Sequence, residues 1–486
     1  MSLSQKAISG AVWSALQNWG SQLGSLLIFL VLARLLTPED FGLVALANVF
    51  LAFVQIFTDQ GFPQALIQRQ ELEPDHIDTA FWTTLGFSSL LLLAGLLLAP
   101  VAANAFDRPL LTPILRWFSL LLLVGSLADV QQALLERQFA FRFVALRALL
   151  GLAIGGIVGI ALAVGGAGVW SLVAQQLTTE AIGVVVLWRS SSWRPRWRFS
   201  RRHFQQLFRF GSNIFAFNFL GFINGRADDL LIGYFLGPTA LGYYSVAYRI
   251  LTMMTQVLID TSNRVALPTF SRLQLDLDRL RSAFYKVTRL TSLLAFPSFL
   301  GIAVLAPKII PIFFGPQWLA SVPVLQILAL AGIFRSVSRF KSAVLLAVGQ
   351  PFWRVWIGLL AASLNLIGFA IAVRWGIIAV AWAYLIRACI MFPLVQALLN
   401  RIMQASVWAY LRQFMQPFSA TLVMVVVLLL AERGVNALNL SVQLAILVGV
   451  GSLTYLGAIR LLAPALFQEF WGLIQAMLPK LKSKQT

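Results

Sequence analysis

The chain has 486 residues, of which 59% are hydrophobic and 11% are charged, and its formal net charge is +19 at pH 7. A mean hydropathy of +0.82 is too high for a chain that folds around a water-exposed surface. These values exclude a soluble globular protein and predict an integral membrane protein.

Apolar segments about 20 residues long recur along the chain, which is the length of a membrane-spanning helix, and they lack the alternation of a barrel strand. They predict an all-α polytopic membrane protein with about 14 transmembrane helices. In chain order, the predicted spans are 12–33, 42–66, 80–102, 113–134, 146–165, 168–188, 210–233, 240–263, 288–306, 320–346, 354–373, 376–398, 412–431 and 440–460.

The polar pattern of the first spans occurs twice, about 200 residues apart, and such an ordered series of matches predicts an internal duplication. The matched residues are Leu36, Pro38, Gly42, Asn48, Gln55 and Asp59 in the first copy, and Leu236, Pro238, Gly242, Arg249, Gln256 and Asp260 in the second. Six predicted spans separate the two copies. Because six is an even number, both copies run in the same direction and an axis along the membrane normal relates them.

The duplication predicts two parallel-related six-helix bundles followed by a C-terminal helix pair. The predicted domains are a first bundle at 1–188, a basic cytoplasmic linker at 189–209, a second bundle at 210–400, transmembrane helices 13 and 14 at 401–462, and a basic cytoplasmic tail at 463–486. The linker has Trp193, Pro195 and Trp197 among its arginines. This composition favours contact with anionic lipid headgroups, with a specific protein partner as the alternative.

The positive charge follows the predicted topology. Most of the 37 Lys and Arg residues fall in alternate connections, which are expected on the cytoplasmic side. Both termini are therefore predicted to be cytoplasmic. Because membrane topology explains the charge, no nucleic-acid partner is predicted.

No catalytic or metal-binding grouping is evident in the sequence. Cys389 is the single cysteine, so no internal disulfide is predicted, and the two histidines, His76 and His203, are far apart in the sequence. We expect no metal, no cofactor and no enzymatic activity. A membrane glycosyltransferase, polymerase or ligase is the alternative from another class, but the predicted periplasmic connections are short for such an active site. A scaffolding role is a further alternative.

Ionisable and amide side chains within the predicted spans are the candidates for function, because such groups are costly in hydrocarbon and usually face a cavity or a partner. In the first bundle they are Ser14, Asn18, Asn48, Gln55 and Asp59; in the second they are Asn224, Arg226, Asp228, Asp229, Arg249, Gln256, Asp260, Arg335 and Arg339. The cations cluster in the second bundle and match an anionic group such as phosphate. The alternative is that Arg226 pairs with Asp228 or Asp229, and that Arg264 pairs with Asp260.

Four segments resemble the signatures of bacterial polysaccharide transporters. They are 34–42 (RLLTPEDFG), 229–244 (DLLIGYFLGPTALGYY), 267–271 (LPTFS) and 314–318 (FGPQW). The likeness is to the O-antigen and colanic-acid exporter branch of the multidrug/oligosaccharidyl-lipid/polysaccharide superfamily, and it extends over nearly the whole chain. It implies a flippase of the bacterial cytoplasmic membrane that moves an undecaprenyl-diphosphate-linked oligosaccharide to the periplasmic leaflet by alternating access.

The resemblance also implies roles for the candidate residues. Substrate binding falls to Arg226, Arg249, Arg335, Arg339, Asn18, Asn48, Gln55, Asn224 and Gln256, and ion coupling to Asp59, Asp228, Asp229 and Asp260. Beyond the lipid-linked substrate and the bilayer, a polysaccharide polymerase and a chain-length regulator are candidate partners, and a monomer suffices for a transport path.

Two other transporter classes of the same superfamily are alternatives. Lipid II flippases, or flippases for other polyprenyl-linked substrates, are the first, but the lipid II flippases have arginines in the first two helices, where this chain has no internal arginine. Cation-coupled drug antiporters are the second, but they favour an acidic chamber, which the cation-rich second bundle does not match.

Overall fold

The computed structural model describes residues 3–58, 61–69 and 71–477; within these ranges it describes all side chains except those of residues 3–9, 11, 206–217, 259–265, 470, 473–474 and 476–477. The regular structure of the described residues is helical. The helices up to the middle of the chain are α1 (Leu3–Leu35), α2 (Pro38–Thr58), α3 (Phe62–Gln68), α4 (Pro74–Ala105), α5 (Leu111–Arg137), α6 (Phe141–Val164), α7 (Val169–Ser190), α8 (Arg201–Phe235) and α9 (Gly237–Thr255). The remaining helices are α10 (Thr261–Arg272), α11 (Leu277–Phe313), α12 (Ser321–Ser338), α13 (Lys341–Ala347), α14 (Pro351–Ala372), α15 (Ile377–Ile402), α16 (Val407–Val435), α17 (Leu440–Leu462) and α18 (Pro464–Met477).

Within the described part of the chain, 12 helical segments are long and apolar enough to cross a membrane, and each coincides with a predicted span. This confirms an all-α polytopic membrane protein. The predicted spans 210–233 and 240–263 do not meet the same criterion. They fall in α8, which is 35 residues long, and in the continuous helix formed by α9, a π-helical segment (Gln256–Asp260) and α10. Both runs have the length of a span, but their polar residues lower the hydropathy.

The predicted span 42–66 is interrupted in the structure, because α2 ends at Thr58 and the short helix α3 begins at Phe62. Gly61 precedes α3 with a left-handed φ of 72°, and Pro63 lies in the first turn of α3. Glycine adopts this φ readily, and proline is accepted in the first turn because its missing N–H has no intrahelical partner there. The predicted span was therefore too long at its C-terminal end.

The described chain forms two compact units. Unit 1 contains residues 1–245, 313–317 and 365–377, and unit 2 contains residues 246–312, 318–364 and 378–486. In unit 1, α1 packs on α6 through small residues: Gly24 faces Leu152, and Gly156 faces Ile28. Small residues let membrane helices approach closely, which is the main source of packing energy where lipid competes with apolar side chains.

The two duplicated segments contact each other within unit 1. A Cβ atom on Gly42 of α2 would overlap the carbonyl oxygen of Pro238, and a Cβ atom on Gly242 of α9 would overlap the carbonyl oxygen of Pro38. The contact is reciprocal between matched residues of the two copies. Only glycine fits at either position, because any larger residue would overlap a backbone atom.

Unit 2 has an aromatic core formed by α10, α11, α12, α13, α15 and α16. Phe284 stacks on Tyr410 with ring centroids 5.6 Å apart, and Phe270 and Phe340 are fully buried beside them. A second core joins α11, α16 and α17, where Lys308 and Glu432 form an ion pair of 2.7 Å. These two cores fix the helices that hold the cationic residues of unit 2.

Glu469 attaches the C-terminal helix α18 to α11. Its carboxylate oxygens lie 2.8 Å from Nζ of Lys286 and 2.6 Å from the guanidinium of Arg289. The hydrogen bond from Lys286, together with the charges of Lys286 and Arg289, lowers the pKa of Glu469 from its ordinary value, against an opposing effect of burial. The carboxylate is therefore ionised at neutral pH and holds α18 on α11.

Candidate functional site

The acidic candidates of α8 are buried in unit 1. Only 4% of Asp228 and 7% of Asp229 is exposed. The hydroxyl of Tyr244, a fully buried residue of α9, donates to Oδ2 of Asp228 at 2.8 Å. Arg226 lies one turn before Asp229, and its Nη1 is 3.1 Å from Oδ2 of that residue. We call these four residues the acidic group; its two carboxylates outnumber its one guanidinium.

Arg226 thus forms the ion pair that the sequence left open as its alternative role. The pair does not use the whole guanidinium, because 43% of the side chain is exposed. Arginine has five N–H donors in a planar fork, and one carboxylate oxygen takes at most two of them. Arg226 therefore stabilises Asp229 and still has donors for a second acceptor.

The polar residues of α2 and α8 lie on helices that pack against each other. Leu46 of α2 faces Gly233 of α8, and the rings of Phe53 and Phe222 have centroids 5.6 Å apart. Asn48 is half-buried on α2 and Gln55 is exposed there. The two helices pack through these apolar residues, and Asn48 and Gln55 lie on the same stretch of α2 as Leu46 and Phe53.

Asn224 has a partner that the sequence did not single out. Asn365 lies in unit 1, and its amide nitrogen is 3.4 Å from the Oδ1 atom of Asn224. Asn365 is 1% exposed, and its own Oδ1 has no hydrogen-bond partner among the described residues. By contrast, Asn18 is half-buried on α1, a helix that packs on α6.

The strongest cationic site lies in unit 2 and is centred on Arg335 of α12. Its guanidinium donates hydrogen bonds to the hydroxyls of Tyr248 and Tyr384. Its Nη1 is buried and has no hydrogen-bond partner in the described part of the chain. Gly332, one turn earlier, packs against Phe299 and Leu251 and fixes α12 between α11 and α9.

A second arginine contacts the same tyrosine. The guanidinium of Arg387 lies 4.8 Å from the ring centroid of Tyr384, and its Nε is buried without a hydrogen-bond partner among the described residues. The ring of Tyr384 meets that of Tyr248 edge-on at 6.0 Å. We call Tyr248, Arg335, Tyr384 and Arg387 the Arg–Tyr cluster. Neither arginine forms an ion pair with any described carboxylate, so the cluster is cationic.

The other candidate residues of unit 2 differ in burial. Arg249, Arg339 and Gln256 are exposed, and Gln256 is the first residue of the π-helical segment. A π-helical turn within an α-helix is often found at functional sites. Lys341 is 2% exposed; its Nζ donates to the carbonyl of Phe392 at 3.1 Å and lies 4.1 Å from the centroid of that ring. Asp59 and the side chains of Asp260 and Arg264 lie outside the described residues.

The description of the matching protein-family model is "Polysaccharide biosynthesis protein", and the match covers residues 31–323. This segment is more than half of the chain and contains the acidic group, Arg249 and the duplicated motifs.

The chain belongs to this polysaccharide biosynthesis protein family. Two curated relatives match over almost their full length. The teichuronic acid biosynthesis protein TuaB of Bacillus subtilis is 28% identical over 94% of this chain and 95% of its own. The succinoglycan biosynthesis transport protein ExoT of Rhizobium meliloti is 29% identical over 96% of this chain and 95% of its own.

The fold of this polysaccharide biosynthesis protein is shared with solved transporters. The structure of the lipid II flippase MurJ in an inward closed conformation superposes with a TM-score of 0.77 over 94% of this chain and 99% of that chain, at 16% sequence identity. The chain therefore shares its fold with this flippase. ExoT is described as a transport protein and MurJ as a flippase.

The tyrosines at these two sites of the family member were not predicted from the sequence. Tyr244 binds Asp228, and Tyr248 and Tyr384 bind Arg335. A signal was present, since Tyr384 and Arg387 lie one helical turn apart on α15, a spacing that brings a ring and a guanidinium together. Arg387 was not among the predicted site residues, because Tyr384 links it to Arg335 and the two arginines lie on different helices.

Proposed function

We propose that the chain is a flippase that moves undecaprenyl-diphosphate-linked oligosaccharide repeat units from the cytoplasmic to the periplasmic leaflet by alternating access. The product would serve the export of O-antigen, capsule or exopolysaccharide. The family match and the relative named as a transport protein support this class of substrate.

The observation that carries the proposal is the Arg–Tyr cluster. Two guanidiniums sit on predicted spans with buried N–H groups that no described residue accepts. An unsatisfied buried donor is costly, and a buried charge is more so. Phosphate oxygens form short, strong hydrogen bonds with guanidinium N–H groups, so a diphosphate would use the free donors of Arg335 and Arg387. Tyr248 and Tyr384 would keep the two arginines in place.

The remaining substrate contacts are assigned from burial and chemistry. The exposed Arg249 and Arg339, and the free face of Arg226, would bind the diphosphate or acidic sugars. Asn18, Asn48, Gln55, Asn224 and Gln256 are proposed to meet sugar hydroxyls. Amide side chains suit this role because each one both donates and accepts hydrogen bonds.

The acidic group is the proposed site of ion coupling. Asp228 and Asp229 are adjacent and buried, and Arg226 balances only one of the two negative charges. A proton or a sodium ion would balance the second charge in the low dielectric of the membrane. Asp59 and Asp260 remain further candidates for the same role.

The proposed membrane arrangement has 14 spans, in which α8 and the continuous helix of α9 and α10 are added to the 12 apolar segments. Both termini lie in the cytoplasm of a bacterial cell, and two six-helix bundles are related by an axis along the membrane normal. The reciprocal contacts of Gly42 and Gly242 support this symmetry. A polysaccharide polymerase and a chain-length regulator remain candidate partners, and a monomer suffices.

The proposal is tested by reconstituting the purified chain in proteoliposomes. The lipid is a fluorescent undecaprenyl-diphosphate oligosaccharide, and a glycosidase added outside reports its appearance in the outer leaflet. We expect movement that depends on the protein. Movement of lipid II but not of the oligosaccharide lipid would show that lipid II is the substrate instead. Efflux of a cationic dye without movement of either lipid would assign the chain to the drug antiporters.

A further inference from the structure

The structure brings together the two histidines that are far apart in the sequence. His76 lies in the first turn of α4 and His203 in the first turn of α8, and their ring centroids are 3.9 Å apart. Glu73, the residue before α4, places Oε2 3.5 Å from Nε2 of His203. Both histidines are buried, whereas 67% of the Glu73 side chain is exposed. Solvent therefore reaches one side of the group.

His203 does not use its full hydrogen-bonding capacity. Its Nδ1 is buried and has no partner in the described part of the chain, and the contact of its Nε2 with Glu73 is long for a hydrogen bond. A neutral imidazole always has one nitrogen lone pair to offer. In His203, the surrounding protein leaves this lone pair without a good donor.

We propose that Glu73, His76 and His203 form a binding site for a divalent transition-metal ion of the Zn²⁺ type. Imidazole nitrogen and carboxylate oxygen are the ligands that Zn²⁺ prefers, and three protein ligands with a solvent molecule complete a tetrahedral site. The three ligand atoms lie within 4.8 Å of one another. Zn–N and Zn–O distances near 2.1 Å give a tetrahedral edge of about 3.4 Å, close to the 3.5 Å between His203 and Glu73.

Two local features oppose the metal ion, and both are weak. The Glu73 amide donates a long hydrogen bond of 3.3 Å to Nδ1 of His76 as part of the capping of α4, and coordination through that nitrogen would replace it. The positive ends of α4 and α8 also disfavour a cation, but the Glu73 carboxylate opposes that effect.

The bound ion would clamp the segment between the two proposed bundles onto α4. That segment already contacts α4 at several points: Trp197 stacks on Trp82 at 4.1 Å, and the amide of Arg196 donates to Asp78 at 3.1 Å. His203 lies six residues after Trp197 in the sequence. A metal ion joining His203 to Glu73 and His76 would close this contact and stabilise the start of α8 against α4.

The test is zinc binding by the purified full-length chain, prepared without a histidine tag in detergent. Isothermal titration with ZnCl₂ follows removal of metal with EDTA, and thermal unfolding is recorded with Zn²⁺ or Mg²⁺. We expect saturable binding of about one Zn²⁺ per chain, consistent with a three-ligand site, and a rise in Tm with Zn²⁺ alone. Co²⁺ should give the intense visible absorption of a tetrahedral complex.

Variants assign the site. Glu73→Gln, His76→Gln and His203→Gln should each weaken Zn²⁺ binding by at least about 10- to 100-fold, since even outer partners of a metal site contribute that much. Gln at position 76 keeps a side chain suited to the capping of α4. Glu71→Gln, an exposed change in the same segment, should bind Zn²⁺ like the parent chain.

Absence of saturable Zn²⁺ binding by the parent chain overturns the proposal without any variant. Binding that survives all three ligand changes also overturns it, because the ion is then held elsewhere. If His203→Gln is recovered unfolded, Glu73→Gln decides, since this side chain is mostly exposed and a glutamine oxygen can still accept the capping hydrogen bond of α4. The outcome is independent of the transport assay.

Discussion

The acidic group and the Arg–Tyr cluster use the same kinds of residues with opposite balances of charge. On α8, Arg226 pairs with Asp229, and Tyr244 donates to Asp228. In unit 2, tyrosines bind Arg335 in place of carboxylates. A tyrosine hydroxyl positions a guanidinium without neutralising it. The first site therefore has more carboxyl groups than guanidiniums, and the second has guanidiniums without a carboxyl partner among the described residues.

This difference matches the two tasks of the proposed ion-coupled flippase. A site with excess negative charge attracts a small cation or a proton, and a site with excess positive charge attracts a phosphate group. If the two sites have separate tasks, a change in the acidic group should alter the ion dependence of transport without altering substrate affinity. A change in the Arg–Tyr cluster should alter substrate affinity without altering the ion dependence.

The largest effect is expected from Arg335→Gln. Each hydrogen bond to a charged group contributes about 1.5–3 kcal/mol, so the half-saturating concentration of the diphosphate lipid should rise about 10- to 100-fold. The protein should still fold, because Gln can donate to a tyrosine hydroxyl. The assay is oligosaccharide-lipid movement in proteoliposomes at several substrate densities.

Arg412→Gln is the matched control, since it makes the same chemical change at an exposed position of α16. Equal affinity in Arg335→Gln, Arg412→Gln and the parent chain would show that Arg335 has a structural role only.

The next effect concerns coupling at Asp228. In Asp228→Asn, the amide oxygen can still accept from Tyr244, so the fold is kept, but the negative charge is lost. We expect movement that no longer responds to an imposed proton or sodium gradient, with unchanged affinity for the lipid. The measurement compares initial rates with and without each gradient. A preserved response would exclude Asp228 as the coupling residue.

A smaller effect is expected from Arg226→Gln, because this change leaves Asp229 buried without its ion pair. A buried group that loses its partner costs about 1–3 kcal/mol, which should appear as a lower Tm in detergent. The affinity for the lipid should change less than in Arg335→Gln. If Arg226→Gln instead matched Arg335→Gln in affinity loss at an unchanged Tm, the two sites would not have separate tasks.

The smallest effect concerns Glu469, which lies on α18, outside the membrane-spanning segments. The pKa of Glu469 is lowered in the folded protein, so its pairing with Lys286 and Arg289 is intact above the ordinary carboxyl pKa and is lost as the pH falls through the lowered value. Amide hydrogen exchange of α18 should therefore accelerate in that acidic range. Glu469→Gln should show the same fast exchange at neutral pH, and slow exchange in this variant would contradict the assignment.

The sequence was sufficient for the fold class because hydropathy and helix length are local properties. The spans predicted from the sequence include all 12 apolar segments. The end of α2 was predicted wrongly because Gly61 adopts a left-handed conformation, which hydropathy does not report. The duplication signal also had a physical basis, since Gly42 and Gly242 are both in contact with a backbone carbonyl of the other copy.

The contacts of the candidate site were harder to predict from the sequence because they join segments that are distant along the chain. The pairing of Arg226 and Asp229 could be read from a three-residue spacing on one helix. The bonds of Arg335 to Tyr248 and Tyr384 connect three helices, and the approach of His76 and His203 connects residues 127 positions apart. No local pattern predicts such contacts.

Binding of the diphosphate of a lipid-linked sugar is the proposed role of the Arg–Tyr cluster. The most direct test compares transport of one oligosaccharide on undecaprenyl diphosphate, on undecaprenyl monophosphate and on an uncharged polyprenol, by the parent chain and by Arg335→Gln. We expect the parent chain to prefer the diphosphate strongly and Arg335→Gln to lose most of this preference. An unchanged preference in Arg335→Gln would contradict this role.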